Sequence, residues 1–272
     1  MCFQAKYWTT LWVFVFGYIS IIGVSAGAHR LWSHRSYKAK WPMKLILMIL
    51  QTASYELSIH WWARNHRMHH KYSDTDADPH NPKRGFFFAH IGWFLVEKHP
   101  EYIKKLSKVD FTDLEQDPIV AFQKRWYMYL ALIFAFILPP LIPYWCWGET
   151  LWCAWCANIV RCLLIMHITF SINSSAHRWG TRTYTKSNSS CDNVSVAIVT
   201  FGEGWHNYHH AFPWDYRSSE FGNYSISIST AFINLCAFLG MAYDLKAATS
   251  DMVKQRITEN KSVSKKYKLE EY

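Results

Sequence analysis

The sequence predicts an all-α integral membrane protein, with transmembrane helices under a cytosolic helical cap that holds a histidine-rich dinuclear metal site. Three observations predict it. Three long runs of the chain carry almost no charge. Nine of the fourteen histidines fall into four tight groups beside those runs. Half of the 272 residues are hydrophobic and 18% aromatic, yet mean hydropathy is only −0.11. The apolar residues are therefore unevenly spread, as in a membrane protein with large aqueous parts.

Residues 7–28 are 22 residues without a charge, long enough to cross a bilayer. The run is too long for a secretory signal peptide and has no cleavage pattern. Gly23-x-x-x-Gly27 within it allows close approach of another helix. Residues 43–59 are apolar but hold Lys44 and Glu56, which predicts an interfacial or re-entrant helix. Residues 126–147, uncharged and bracketed by aromatic side chains with Pro139-Pro140 near the far end, predict a second span. Residues 150–172 predict a third, interrupted by Arg161; an arginine at that depth faces the bundle interior and needs a partner. Cys153-x-x-Cys156 in this run reads as two small hydrophobes. The seven cysteines, odd in number and without framework spacing, fit a reducing compartment.

Sixteen lysines and arginines lie in residues 29–125, eleven after residue 172 and none in the 148–149 turn. The positive-inside rule then puts both histidine-bearing regions in the cytosol and the N-terminus in the lumen. Two crossings separate those regions and return the chain to one side. The expected organisation is a single domain over 1–272: spans at 7–28, 126–147 and 150–172, cap segments at 29–125 and 173–247, and a solvated Lys/Glu-rich tail at 248–272. Sequons at Asn173, Asn188, Asn193 and Asn223 would stay unglycosylated in the cytosol. The formal net charge of +9, combined with so many aromatic residues, points to an anionic membrane face or anionic substrate and away from nucleic acid.

The chemistry is concentrated in the histidines. Asn65-His66-Arg67-Met68-His69-His70 and Trp205-His206-Asn207-Tyr208-His209-His210 both contain H-x-x-H-H. Positions i, i+3 and i+4 share one helix face, and neutral imidazole is a common metal ligand. His29-Arg-Leu-Trp-Ser-His34 spaces two histidines by five, which best fits a pair straddling a helix end. His177, in Asn173-Ser-Ser-Ala-His177, is the ninth. A lone histidine is usually a surface or satisfied core residue, but a repeated triad joined by a spaced pair is not explained that way. A structural zinc needs only four ligands, so nine suit two ions with four or five nitrogens each. Imidazole binds zinc, copper, iron and nickel alike, and the spacing does not name the metal. The run Ser73-Asp-Thr-Asp-Ala-Asp-Pro-His-Asn81 hints at a calcium loop, but Pro79 stands where glycine is needed and Gly85 where the bidentate glutamate belongs. It is expected instead as a turn-rich loop closing on the metal helices.

His29-Arg-Leu-Trp-Ser-His34, Trp62-Ala-Arg-Asn-His66-Arg-Met-His69-His70 and Gly202-Glu-Gly-Trp-His206-Asn-Tyr-His209-His210 closely resemble the three histidine boxes of the acyl-CoA desaturases. Ala26-Gly-Ala-His29, Ala77-Asp-Pro-His-Asn81, Arg84-Gly-Phe-Phe-Phe88, Tyr144-Trp-Cys-Trp-Gly-Glu149 and Asn173-Ser-Ser-Ala-His177 support the likeness, which runs from about Tyr7 to Lys246 and is strongest to insect members of the stearoyl-CoA desaturase group. The resemblance implies a multi-pass endoplasmic-reticulum enzyme with a cytosolic active site and two non-haem irons. It implies a delta-9-type desaturase that inserts a cis double bond into a saturated fatty acyl-CoA, using dioxygen and electrons from cytochrome b5 and its reductase. By that resemblance His29, His34, His66, His69, His70, His177, His206, His209 and His210 ligate the irons, and Asn173 holds one through water. No catalytic residue is expected beyond these. Arg64, Asn65, Lys98 and Phe170 match positions near the substrate.

The implied reaction makes physical sense of the composition. Removing hydrogen from an unactivated methylene is beyond any side-chain base, so a redox metal is required. The acyl chain needs a dry, bent tunnel walled by the spans and by residues 43–59, and a basic cap suits the phosphates of CoA. Members of the family usually begin with a cytosolic segment and one further transmembrane helix; here Met1 stands just before the second family helix, leaving three spans. Asn65 replaces the usual Asp, Glu97 stands where Arg is common, Leu57 where Asn is usual and Phe170 where Trp is frequent. Two alternatives stay open: a membrane di-iron fatty-acyl hydroxylase, and a catalytically inactive metal-bound paralogue or fragment.

Overall fold

In the computed structural model, α1 (Tyr7–Ser33) is the first of three helices, among the described residues, long and apolar enough to cross a membrane. The structure describes residues 5–221 and 227–270, with side chains to residue 262; the sequon at Asn223 lies outside them. From Gly23 onward α1 widens to i→i+5 hydrogen bonding. The His34 N–H donates to the His29 carbonyl at 3.1 Å, so residues five apart stack on one face. The His29/His34 pair does straddle a helix end, and its spacing is that of one wide turn. Gly23 permits the crossing with α2 (Trp41–Ser54): a Cβ there would stand 2.1 Å from the Gln51 backbone nitrogen.

The apolar stretch expected as one helix over 43–59 is not continuous. α2 stops at Ser54 because Tyr55 and Leu57 take left-handed backbone angles, φ 63° and 64°. The bend feeds α3 (Ile59–Tyr72), whose N-terminus is capped by the Ser58 hydroxyl accepting from the Trp61 N–H. α3 is in turn locked to the end of α1. Arg67 donates to the Trp32 and Ser33 carbonyls at 2.6 and 3.1 Å, groups that a helix C-terminus leaves without partners. Asp113 fixes the same guanidinium through two bonds of 2.7 and 2.6 Å. The first two histidine motifs are thereby held face to face.

α4 (Pro118–Trp147) and α5 (Leu151–His177) are the other two apolar helices, both longer than the apolar windows that announced them. Pro139 and Pro140 interrupt α4, and neither has an N–H. The Ala135 carbonyl thus loses its donors four and five residues on. α5 supplies substitutes: Asn158 Nδ2 at 2.8 Å and Arg161 Nη2 at 3.2 Å. Arg161 Nη1 also donates to the Ala53 carbonyl, at 2.9 Å, in the last turn of α2. The arginine that interrupts the third apolar run is 1% exposed. Its partners are orphaned carbonyls, the Asn158 amide oxygen, at 2.9 Å, and the Cys162 sulfur, at 3.2 Å, not a carboxylate.

At one end of the bundle Lys6 donates to the Trp147 and Gly148 carbonyls, and Thr9 donates to Glu149. The start of α1 and the 148–149 turn therefore meet there, while the histidines gather at the other end. Beyond the third span the chain includes the helices α6 (His206–Ala211), α7 (Ile228–Phe238) and α8 (Ser250–Glu270). A two-residue antiparallel pair, β1 (Lys38–Ala39) with β2 (Ala242–Tyr243), joins the chain after the first motif to the segment after α7. The stretch expected as a solvated tail is helical, and Val253 and Ile257 pack with Tyr184, Tyr208 and Phe212 against the third motif.

Arg161→Met should lower the detergent melting temperature, since each stranded buried carbonyl costs about 1–3 kcal/mol. The loss should shrink in a Pro139→Ala, Pro140→Ala background, where α4 provides its own donors; thermal unfolding of the four proteins checks the coupling.

Candidate metal centre

The histidines form two nitrogen clusters. His29, His34, His66 and His209 place one ring nitrogen each within 4.8 Å of one another, and His69, His177, His206 and His210 do the same. His70 joins the first group, its Nε2 standing 2.9 Å from that of His209. Within the first cluster, Nε2 pairs lie 3.0 Å apart for His29 and His209 and 2.8 Å for His34 and His66. In the second, His177 and His206 are 3.0 Å apart, and His69 and His210 are 3.2 Å apart. In each H-x-x-H-H motif the i and i+4 rings serve one cluster and the i+3 ring the other. α3 gives His66 and His70 to the first and His69 to the second; α6 gives His206 and His210 to the second and His209 to the first.

The outward nitrogens determine which way the lone pairs point. His29 Nδ1–H donates to Glu203 at 3.1 Å. His69 Nδ1–H donates to Asp78 at 3.0 Å, so the turn-rich loop does close on the metal helices. His177 Nδ1 meets the Ser189 hydroxyl at 2.9 Å, and Ser189 donates to Asp74 at 2.5 Å. A carboxylate only accepts, so these contacts protonate Nδ1 and turn a bare Nε2 inward. Burial first, then neighbouring imidazoles, hold His66, His70, His206, His209 and His210 well below the usual histidine range. Those five rings favour the neutral form, the one that binds a metal. Converging lone pairs about 3 Å apart repel unless a cation lies among them, and that spacing is what two nitrogens about 2.1 Å from one ion require at a right angle. The donor set fits two ions.

Glu203 is tied down from several sides. Burial by itself would raise its carboxyl, but Arg30, at 2.5 Å, with His29 and Ser25 holds it well below the usual range. Arg30 also donates to the Tyr216 carbonyl and Thr230 hydroxyl at 2.7 and 2.8 Å. Asn207, inside the third motif, accepts from the Tyr184 and Thr185 N–H groups and donates to the Thr185 and Ser190 carbonyls. It fixes the loop that carries Asn188 and Ser189.

Beside the clusters is a cavity of about 60 Å³ whose wall includes Glu56, Trp62, Asn65, His66, Phe170 and Asn173. Asn65 accepts from the Tyr102 hydroxyl at 3.1 Å. Phe170 is buried against Trp93, with ring centres 5.3 Å apart. Arg64 and Lys98 flank the cavity and do not line it. Lys98 stands 4.5 Å from the Trp93 ring centre, and burial, followed by the Arg64 charge, pushes it down to about 8. Neither its Nζ nor Arg64 Nε has a hydrogen-bond partner among the described residues.

Sequence reasoning missed several of these residues. Arg30, Arg67, Asp78 and Glu203 were hidden as ordinary members of quoted motifs, though charges inside otherwise apolar or histidine-rich runs were a usable signal. In the sequence Glu56 stands out only as an interruption of an apolar stretch. It is buried, accepts from Trp62 Nε1 at 3.1 Å and the Thr169 hydroxyl at 2.6 Å, and burial lifts its carboxyl to about 7. His80, likewise not singled out, is buried with its ring centre 4.3 Å from that of His69.

A family model described as fatty acid desaturase matches residues 6–220. The acyl-CoA Delta12-desaturase of Acheta domesticus is 51% identical over 255 residues, which span 93% of this chain and 71% of the relative. The acyl-CoA Delta-9 desaturase of the same insect is 49% identical over the same shares. Stearoyl-CoA desaturase 2 of Rattus norvegicus is 46% identical, again over 93% and 71%.

His70→Ala and His209→Ala should each lower the metal content of purified protein, measured by plasma mass spectrometry, because each removes an inward nitrogen. Asp78→Asn and Glu203→Gln should weaken metal affinity by about 10–100-fold without abolishing it. Glu56 gives a pH signature. Its folded value, near 7, lies above the ordinary 4.5, so the folded state holds the proton more tightly and stability falls as pH rises between those values. The melting temperature of Glu56→Gln should gain on the wild type from pH 5 to pH 8, in about the window those two values bracket.

Proposed function

The chain belongs to the fatty acid desaturase family, and from that premise we propose that it is an acyl-CoA desaturase of the endoplasmic-reticulum membrane, acting on saturated fatty acyl-CoA with dioxygen. The observation that carries this reading is the pair of buried nitrogen clusters, the first of which reaches, through His66, a cavity walled by α3 and α5. In this reading His29, His34, His66, His70 and His209 hold one iron, and His69, His177, His206 and His210 hold the other, with Asn173 placed to hold a water. The iron pair, when bound, supplies the oxidising power that no side chain has for an unactivated methylene. One dioxygen takes two hydrogen atoms from the acyl chain, two electrons from cytochrome b5 and two protons from water, and leaves as two waters.

The protein's own residues bind, orient and exclude water. Trp62, Phe170 and Trp93 wall the cavity and keep it dry, and Glu56 holds Trp62 and Thr169 in place. Arg64 and Lys98, at the flank, offer charge to the phosphates of CoA, and Asn65 is positioned by Tyr102 between that flank and the clusters. Glu203 and Asp78 keep His29 and His69 in the tautomer that turns Nε2 inward. The histidine end is assigned to the cytosol, where the lysines and arginines are concentrated and where cytochrome b5 and its reductase would dock. The double bond is assigned to the delta-9 class on the resemblance to stearoyl-CoA desaturases; the characterised relatives include Delta-9, Delta(11) and Delta12 enzymes.

Expression in a yeast lacking its own desaturase should produce new cis-monounsaturated fatty acids on gas chromatography, with the bond position read by mass spectrometry. An unchanged fatty-acid profile with the protein well expressed would overturn the reading. Hydroxylated chains in place of alkenes would replace it with a hydroxylase.

A further inference from the structure

Residues 86–95 form a helical stretch of the cap that packs against α5. His90 fixes it there: its Nδ1 meets the Ser174 hydroxyl at 2.9 Å, and its Nε2 stands 3.0 Å from His167 Nδ1. Counted from Leu151 at about 1.5 Å per residue, His167 lies about 24 Å and Ser174 about 35 Å along the span. The hydrocarbon of a bilayer is about 30 Å thick, and its headgroup layers bring the whole to about 40–45 Å. The stretch is therefore level with the rim where lipid tails give way to headgroups. Ala89, Gly92 and Trp93 are buried on its inner side. Its outer side is apolar and uncovered: Phe87 is 69% and Leu95 66% exposed, with Phe86, Phe94 and Val96 exposed beside them. A patch of that kind marks a surface that is covered in use. No aspartate or glutamate occurs in residues 82–96, while Lys83 and Arg84 stand exposed at the start. The Arg84 guanidinium sits 3.6 Å over the Phe88 ring. Trp179, just past the end of α5, is exposed and has its ring centre 5.4 Å from that of Phe86; tryptophan is enriched at the headgroup level.

We propose that this stretch is a membrane contact of the cap, additional to the spans, which sinks Phe87, Phe94 and Leu95 into the adjoining leaflet and sets Lys83 and Arg84 against the phosphates of anionic lipids. The leaflet is the cytosolic one, a sidedness that rests on the orientation assigned above; the contact itself requires only that α5 crosses the bilayer. An apolar face with a basic edge and no acid near it fits a negatively charged leaflet. An acidic protein would find the same basic edge, but the apolar face is already level with lipid and continuous with the exposed flank of α5, where Leu163 lies. Trp93, on the inner side of the stretch, walls the cavity beside His66, so lipid on the outer side braces that wall.

The test places the photoreactive residue p-benzoylphenylalanine at position 87 or 95, and at position 155 on the exposed face of α5 as a lipid-facing reference. The metal-loaded protein is put into nanodiscs of phosphatidylcholine and phosphatidylserine in equal parts. Illumination should give lipid adducts at 87 and 95 as at 155, read by mass spectrometry. At 87 phosphatidylserine should exceed phosphatidylcholine by about fivefold, and Lys83→Gln with Arg84→Gln should bring the two lipids back to parity. Labelling at 155 without adducts at 87 and 95 would overturn the contact. In microsomes, a cross-link from 87 to a protein in place of lipid would overturn it in favour of a protein interface. Equal yields of the two lipids at 87 before the lysine and arginine are changed would overturn the preference for anionic lipid. Protease protection that puts the histidine end in the lumen would overturn the assigned leaflet and the orientation with it, while the adducts in nanodiscs would be unaffected.

Discussion

The arrangement on which the rest depends is the convergence of imidazole lone pairs in the buried interior of the protein. Neutral rings that face one another at about 3 Å repel, and burial denies them the relief of protonation, since a charged imidazole there would be costly. A cation among them turns the same geometry into attraction. The surroundings serve that neutral state. Glu203 accepts from His29 while Arg30 cancels its charge. Asp78 accepts from His69 and from the Asp74 and His80 backbone N–H groups. Both carboxylates orient a ligand ring without leaving an unsatisfied buried charge.

Each cluster draws rings from α1 or α5 and from both α3 and α6, so neither can assemble within one motif. The division between i/i+4 pairs and i+3 rings is what knits the chain together. Binding at either cluster draws α3 and α6 toward each other, which makes metal affinity and folding one coupled equilibrium. Arg67 and Asn207 prepare that assembly before any ion arrives: one caps the end of α1 from α3, the other fixes the loop under α6.

The membrane-embedded part solves a different problem with the same logic of satisfied polar groups. Pro139 and Pro140 strip donors from Ala135, and Arg161 with Asn158 restores them. Because the arginine also holds the Ala53 carbonyl at the end of α2, it fixes where α2 stops. The bend at Tyr55–Leu57 follows directly, and with it the placement of Glu56 on the cavity wall.

Composition and spacing alone determined the helical membrane class, the three apolar runs and the nine histidines, because charge, hydropathy and helical period are local properties of the chain. They also showed that two ions would suit nine nitrogens. Only the tertiary structure decided which ring serves which cluster, since rings three and four apart share a helix face and the choice is made by what packs opposite. The break after Ser54, the docking of Val253 and Ile257, and the partners of Arg161 were likewise invisible beforehand. Each depends on a contact between residues far apart in sequence, as when a proline in one helix creates the need that an arginine in the next one meets.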